Sequence, residues 1–180
     1  MAVLTERLRL CLPVEQEAAA LQDFYWRNRR HLCSWEPKRD DFYYTELFWK
    51  QELLLRKRRV ETGTGLSWTL HEGGSVRIVG ICNFSNIVRG AFQACHLGYA
   101  IDEEKQGLGY MKEALNALIP IMFEEYRMHR IMANYMPENN RSASVLESLG
   151  FEIEGKARAY LEINGRWEDH TLTALVNPNW

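Results

Sequence analysis

Cys95-His96-Leu97-Gly98-Tyr99-Ala100-Ile101-Asp102, followed after three charged residues by Gln106-Gly107-Leu108-Gly109-Tyr110-Met111, is the stretch on which the reading of this chain turns. The first part closes a strand predicted over Phe92–Asp102. The second is a turn that opens a helix predicted over residues 107–126. Met111, Leu115, Leu118, Ile119, Met122 and Tyr126 recur there at three- and four-residue spacing and make one apolar face. Pro120 lies inside this pattern, opposes the carbonyl of Asn116 and predicts a kink. A strand feeding a glycine-bearing turn and a helix N-terminus makes an anion site. Unpaired N–H groups converge there, the helix dipole favours negative charge, and glycines let the backbone approach a pyrophosphate. The spacing alone leaves a plain flexible turn open. A Walker loop would need Gly-Lys-Ser/Thr where Gly109-Tyr110-Met111 stands, and a dinucleotide fingerprint would need glycine where Lys112 stands.

Upstream, Leu8, Leu10 and Leu12 alternate with Arg7, Arg9 and Cys11 and predict a first strand ending at Pro13. Helices are expected over residues 15–30 and 45–62, with Trp35-Glu36-Pro37 in the loop between them. Strands over Leu66–His71 and Val76–Phe84 flank Gly73-Gly74. Downstream, Arg130–Met136 reads as a strand and Asn139–Leu149 as a short helix closed by Gly150. Phe151–Ile163 and Trp167–Val176 flank Asn164-Gly165, the strongest hairpin signal in the chain. Hairpins mixed with crossover helices imply an α/β (α+β) fold with one mixed sheet and helices on both faces.

A length of 180 residues suits one domain spanning 1–180. Apolar residues at 46% and charged residues at 26% exclude a disordered or fibrous chain. The opening Met1–Leu12 carries Glu6, Arg7 and Arg9 and has no secretory pattern, and the longest apolar run, Ala117–Phe123, is too short for a bilayer. No membrane partner and a cytoplasmic location are therefore expected. Cys11, Cys33, Cys82 and Cys95 are irregularly spaced, and the five histidines show no metal pattern, so no metal is expected. A net charge of −2 argues against direct nucleic-acid binding. Basic residues outnumber acidic ones 14 to 11 over residues 1–99, and acidic outnumber basic 13 to 8 over 100–180. An acidic C-terminal part suits a cationic amine or is a solvated surface. The Arg56-Lys57-Arg58-Arg59 run reads as the polar face of a helix, with a ribosome contact as the alternative.

The turn resembles the acetyl-CoA signature of the GNAT acetyltransferase superfamily, Gln/Arg-x-x-Gly-x-Gly/Ala. Gln106 and Gly109 match, and Met111 stands where Gly or Ala is usual, where an inward side chain would crowd the phosphates. Asn139-x-x-Ser142 with Leu146-Glu147-x-Leu149-Gly150-Phe151 resembles the second block of that superfamily. Further stretches are similar to the branch that acetylates the N-terminal alanine of ribosomal proteins: Asn28-Arg29, Trp35-Glu36-Pro37, Asn83-Phe84-Ser85-Asn86, His129 to Pro137, and Asp169-His170. The resemblance covers about residues 5 to 180. It implies a mostly antiparallel sheet of about seven strands, splayed between the fourth and fifth. It implies acetyl-CoA as cosubstrate and an Ala- or Ser-starting ribosomal protein as acceptor, with direct transfer in a ternary complex.

By that resemblance Gly98, Tyr99, Ala100 and Ile101 pair with the pantetheine arm. Gln106, Gly107, Leu108, Gly109, Tyr110 and Met111 hold the diphosphate, with Asn139 and Ser142 alongside. Trp35, Glu36, Asn83 and Asn134 face the acceptor, and Phe42, Tyr43 and Tyr44 can add to its wall. A related type carries a glutamate where Asn134 stands, so the base must lie elsewhere. Glu36 is the first candidate, with Glu168 and Asp169 behind it, and Ser142 or Tyr160 can protonate the leaving thiolate. Each has a plainer reading, as a loop carboxylate, a helix-turn serine or a strand aromatic. Alternation puts Cys95 and His96 on opposite faces of their strand, against a Cys–His nucleophile. A small amine such as a polyamine or antibiotic is an alternative acceptor, and a ribosome-assembly binding module is an alternative role.

Overall fold

A computed structural model describes residues 2–180; Met1, at the head of the opening segment, lies outside them. Its strands are β1 (Ala2–Leu4), β2 (Leu8–Cys11), β3 (Leu66–Glu72), β4 (Ile78–Val88), β5 (Ala94–Ile101), β6 (Arg130–Tyr135), β7 (Glu152–Ile163) and β8 (Arg166–Val176). The helices are α1 (Ala18–Leu32), α2 (Glu46–Glu61), α3 (Tyr110–Glu124) and α4 (Asn140–Ser148). One eight-stranded sheet runs in the order β1-β2-β3-β4-β5-β6-β8-β7. The extra strand is β1, too short to show a period of two in sequence, and it adds an antiparallel edge to β2 through Ala2–Leu4 and Arg9–Cys11. The long helix begins at Tyr110 and continues through Pro120 to Glu124. Residues 107–109, expected inside it, form the turn.

Each face of the sheet carries its own apolar layer. On one, Leu115, Leu118 and Met122 of α3 pack on Leu10, Trp68 and Phe84. On the other, Leu21 and Phe24 of α1 and Trp49 and Leu53 of α2 pack on Ile78 and Ile81. Burying one such side chain stabilises the fold by about 1.5–3 kcal/mol. Helix α2 is capped by Thr45, whose hydroxyl accepts the Phe48 amide at 3.2 Å. Asn164 and Gly165 take positive φ of 46° and 80° in the β7–β8 hairpin, the pair of left-handed conformations that an Asn-Gly turn favours.

Every neighbouring pair of strands is antiparallel except β5–β6. That parallel seam is short: Ala94, Cys95 and His96 pair with Arg130, Ile131 and Met132, and there pairing stops. Strand β5 stays with β4 as far as Ile101, and β6 stays with β8 as far as Tyr135. Each strand thus keeps its antiparallel partner and leaves its other edge open. The sheet consists of two antiparallel blocks that diverge beyond a three-pair hinge.

The turn after β5 is tied down from two sides. Arg27 of α1 donates to the carboxylate of Asp102, which is 2% exposed, and Arg77 donates to the same oxygen at 3.1 Å. The side-chain oxygen of buried Asn28 accepts the Glu103 amide at 2.9 Å. From the β2 side, Arg7 Nη1 donates to the Leu108 carbonyl at 2.9 Å, its Nε meets Glu113 at 2.7 Å, and its guanidinium lies over the Tyr110 ring. Burial alone would raise the Asp102 pKa, but the bonds and charge of Arg27, the Glu104 amide and Arg77 outweigh it and hold the carboxyl below its ordinary value. The carboxylate therefore stabilises the fold above its unfolded pKa of about 3.9, and that contribution is lost as pH falls through the lower folded value. Asp102→Asn is expected to cost about 2–3 kcal/mol at neutral pH. Denaturant titration of both proteins should show the gap narrowing as the solution is acidified towards pH ~3.

Candidate active site

Where β5 and β6 part, a cleft of about 470 Å³ opens. Leu97, Gly98, Tyr99 and Ala100 form one wall, and Ala133 to Met136 form the other. Asn139, Ser142 and Leu146 of the α4 region close one end, and Trp35, Glu36, Tyr43, Trp49, Arg56 and Asn83 surround the opposite end. Because the outer edge of β5 has no partner beyond His96, alternate amides and carbonyls there face the cleft. An extended ligand with amide groups can complete that edge as a further strand would. A Cβ built on Gly98 would meet no protein atom, so the backbone there is open to close approach. Of the four residues assigned to this edge, Gly98, Tyr99 and Ala100 line the cleft and Ile101 does not. Ile101 sits at the end of β5, packed against the α3-side core.

The glycine turn lies beyond the cleft's outer end. Among the described residues, the amides of Gly107, Leu108 and Gly109 have no acceptor within the chain. Gly109 is the N-cap of α3 with φ of 78°, a left-handed conformation that leaves the first helical amides exposed without a capping side chain. These donors suit an anion of diphosphate size. Gln106 spans the turn instead of pointing into it: its Nε2 lies 2.6 Å from His31 Nε2, and its Oε1 accepts from Arg141. The side chains of Tyr110 and Met111 face away. Tyr110 donates to Glu72 beneath Arg7, and Met111, 6% exposed, meets Cys82 Sγ at 3.4 Å in the core. Only their amides can serve an anion, and the crowding that a methionine at 111 suggests does not arise.

Two hydroxyls of the cleft lining, those of Ser142 and Tyr99, lie 2.7 Å apart. Asn139 caps α4 by accepting the Ser142 amide at 3.1 Å, which fixes the serine at the mouth of the cleft. Burial raises the Tyr99 pKa well above its ordinary value, only partly offset by the bond to Ser142, so this phenol stays protonated. Tyr160 takes a different place. It does not line the cleft; its hydroxyl accepts from Asn134 Nδ2 at 3.1 Å and its ring packs against His170. Asn134 does line the cleft, and its Oδ1 accepts the Thr173 amide at 3.3 Å.

Glu36 faces the cleft from the loop after α1. Burial raises its carboxyl pKa, partly countered by Arg39, whose Nη2 is 3.8 Å away. The loop is anchored by the β7–β8 hairpin, since the Asn164 amide donates to the Glu36 carbonyl at 3.0 Å. The two other acidic candidates lie outside the cleft. Asp169 is occupied with the Ala159 amide at 2.9 Å, holding a bulge where Ala159 has φ of 46°, and Glu168 does not line the cavity. Trp35 and Tyr43 line the cleft, whereas Phe42 and Tyr44 do not. Cys95 is buried with its thiol pushed up to about 12 by burial, and His96 is directed to the opposite face. The basic run of α2 is also corrected: Arg56 is 9% exposed and turned inward, so it is no part of a solvated face.

Three placements were not apparent from spacing: Tyr99 as hydrogen-bond partner of Ser142, Arg141 at the turn, and Arg56 in the cleft lining. Only the register of β5 against α4 and the rotation of α2 bring them in. No group of His, Cys, Asp or Glu able to hold a metal ion occurs among the described residues, and no described helix is long and apolar enough to cross a membrane.

A family profile described as an acetyltransferase (GNAT) domain matches residues 7–152. The [ribosomal protein uS5]-alanine N-acetyltransferase of Escherichia coli (strain K12) is 45% identical over 176 residues, covering 98% of this chain and 91% of that one. Among solved structures, the ribosomal-protein-S5-alanine acetyltransferase of Vibrio fischeri is similar with a TM-score of 0.96 at 40% identity, covering 100% of this chain and 98% of that one. Mycobacterium smegmatis RimJ, in complex with CoA-disulfide, gives a TM-score of 0.93 at 26% identity, covering 99% of this chain and 88% of that one.

The left-handed N-cap provides a direct check on the turn. Gly109→Ala is expected to lower stability by about 1–2 kcal/mol, because a Cβ is disfavoured at this φ. Thermal unfolding of the two proteins at one concentration measures it.

Proposed function

We infer the reaction from kinship first: the chain belongs to the GNAT acetyltransferase family and is an N-acetyltransferase. Beyond that, it transfers the acetyl group of acetyl-CoA to the N-terminal α-amine of a protein. The acceptor is an Ala- or Ser-starting ribosomal protein, met in the cytoplasm by this chain acting as one domain. The single observation that carries this reading is that the parted edge of β5, the Glu36 carboxylate and the Tyr99–Ser142 hydroxyl pair all face one cleft. The likeness in name and sequence to alanine N-acetyltransferases of ribosomal protein uS5 supports the acceptor class.

In this reading the free edge from Gly98 to Ala100 pairs with the pantetheine arm, and the amides from Gly107 to Met111 hold the diphosphate. An amide of β5 near Leu97–Tyr99 donates to the thioester oxygen as charge develops there, a preorganised contribution of the kind that dominates acyl transfer. An N-terminal amine has a pKa of about 7.7–8.0, so roughly a third of it is neutral near pH 7.5. Glu36, with its pKa raised by burial, accepts the proton released as nitrogen bonds to the acetyl carbon, directly or through water. The carbon–sulfur bond breaks, and the departing thiolate takes a proton from Ser142, which the Tyr99 hydroxyl orients across 2.7 Å; solvent reprotonates the serine as Glu36 gives up its proton. Tyr160 orients Asn134 at the acceptor wall. A lysine amine, at about 10.4, would demand a much stronger base than this cleft offers.

Coenzyme A release tests the reading when acetyl-CoA is offered with Ala- or Ser-starting peptides, with a blocked peptide whose one amine is lysine, and with polyamines. Turnover is expected on the first set, and preference for either of the others would overturn the assignment. Ser142→Ala should lower kcat by about 10²-fold with a smaller change in KM for acetyl-CoA. In kcat/KM against pH, the parent should show a rising limb from Glu36, above the ordinary carboxylate range, and a second from the amine near pH ~8. Glu36→Gln should lose the first limb and keep the second.

A further inference from the structure

At the acceptor end of the cleft, three buried polar atoms have no partner among the described residues: Arg56 Nη1, Trp49 Nε1 and Asn83 Oδ1. Arg56 is 9% exposed and Trp49 1%, and both line the cleft. Leaving such a donor unsatisfied costs on the order of 1–3 kcal/mol, more for a charged group, so three at one spot need an explanation. The rest of Arg56 is engaged. Its Nε donates to Glu52 Oε1 at 3.2 Å, and its guanidinium lies over the Trp49 ring. Arg59 shares the same Glu52 oxygen at 2.9 Å. Two guanidiniums against one carboxylate leave a surplus positive charge beside the free Nη1, which suits an oxygen acceptor and repels a second ammonium.

The position of these groups connects them to the reaction centre. Asn83 is the cross-strand neighbour of Gly98, whose missing side chain opens the backbone to the cleft. Arg56 and Asn83 also line a second cavity of about 210 Å³ under the end of α2, bounded by Arg59, Ser67 and Ser85. Arg56 and Asn83 thus belong to the walls of both cavities.

We propose that the two cavities together form the acceptor-peptide channel, in which the Arg56 guanidinium donates to a main-chain carbonyl of the entering N-terminal segment and the chain leaves through the second cavity. Trp49 Nε1 supplies a further donor, and Asn83 Oδ1 accepts an N–H from the same segment. A carbonyl one or two bonds beyond the amine distinguishes a peptide N-terminus from a polyamine, so Arg56 makes the cleft selective for peptides without reading their side chains. The inference rests on the proposed acceptor class and adds the residue that enforces it.

The test compares Arg56→Gln and Arg56→Lys with the parent on an Ala-starting tetrapeptide amide with uncharged side chains, and on propargylamine, whose basicity is close to that of an N-terminal amine and which has no carbonyl. The ratio of parent to variant on each acceptor cancels the remaining difference in basicity. Losing a hydrogen bond from a charged donor should lower kcat/KM on the tetrapeptide about ten- to a hundredfold, with propargylamine and the KM for acetyl-CoA changed by less than about twofold. An equal loss on both acceptors would reduce Arg56 to a structural role and overturn the proposal. A loss confined to peptides with an acidic side chain would overturn it too. Should both Arg56 variants fail to fold, Ser85→Trp, at an exposed position of the second cavity, is expected to slow the tetrapeptide and spare alaninamide; equal rates on the two would sink the channel. If the parent ignores peptides altogether, the acceptor reading itself fails. If the parent acetylates the tetrapeptide and the variants match it, only this inference does.

Discussion

The pairing of β5 with β6 ends after His96 and Met132, and the site depends on that early end. A parallel ladder is somewhat weaker per residue than an antiparallel one. Here each strand has an antiparallel partner on its far side that continues for several residues more, β4 for β5 and β8 for β6. The two blocks follow their own partners and separate, and the backbone groups along their inner edges stay available for a ligand. Had the seam continued to Ile101 and Tyr135, those groups would be satisfied within the protein, and the sheet would have no cleft.

What surrounds the open edge is arranged by long-range polar ties. Arg27 and Asn28 of α1 hold the end of β5 and the first residues of the turn, and Arg7 holds the turn's far side against α3. Gln106 bridges α1 and the start of α4 across the turn through His31 and Arg141. The β7–β8 hairpin reaches the loop after α1 through Asn164 and Glu36. None of these is a large energy by itself, since hydrogen bonds contribute about 1 kcal/mol net and those to charged groups about 1.5–3. Together they connect α1, the turn, α3, α4 and the β7–β8 hairpin to neighbours distant in sequence. The site's groups are therefore held by the whole fold and not by one loop.

Burial then sets the chemistry. It raises the carboxyl pKa of Glu36 above its ordinary value, and it keeps the phenol of Tyr99 protonated beside Ser142. It also raises the thiol of Cys95, which removes that residue as a nucleophile. Asp102 is the counter-example: its side chain is 2% exposed, yet two guanidiniums keep it charged, and it serves the scaffold.

Sequence by itself determined the elements that carry local signals. The apolar stripe of α3, the short helix after Asn139 and the Asn164-Gly165 hairpin each depend on spacing within a few residues, and each stands close to where it was expected, with α3 beginning three residues later, at Tyr110. The motif around Gln106 and the block after Asn139 also gave the family, and Trp35, Glu36, Asn83 and Asn134 do meet in one cleft. Tertiary structure decided which way side chains turn. Tyr110 and Met111 belong to the signature by position, but α3's rotation sends their side chains to Glu72 and Cys82. Tyr160 lies outside the cleft lining, next to the bulge at Ala159, and Arg56 leaves its basic run to enter the interior beside Trp49. A one-dimensional pattern encodes period and caps because these act between near neighbours. The phase of a helix against a sheet, and the point at which two strands cease to pair, depend on partners tens of residues away.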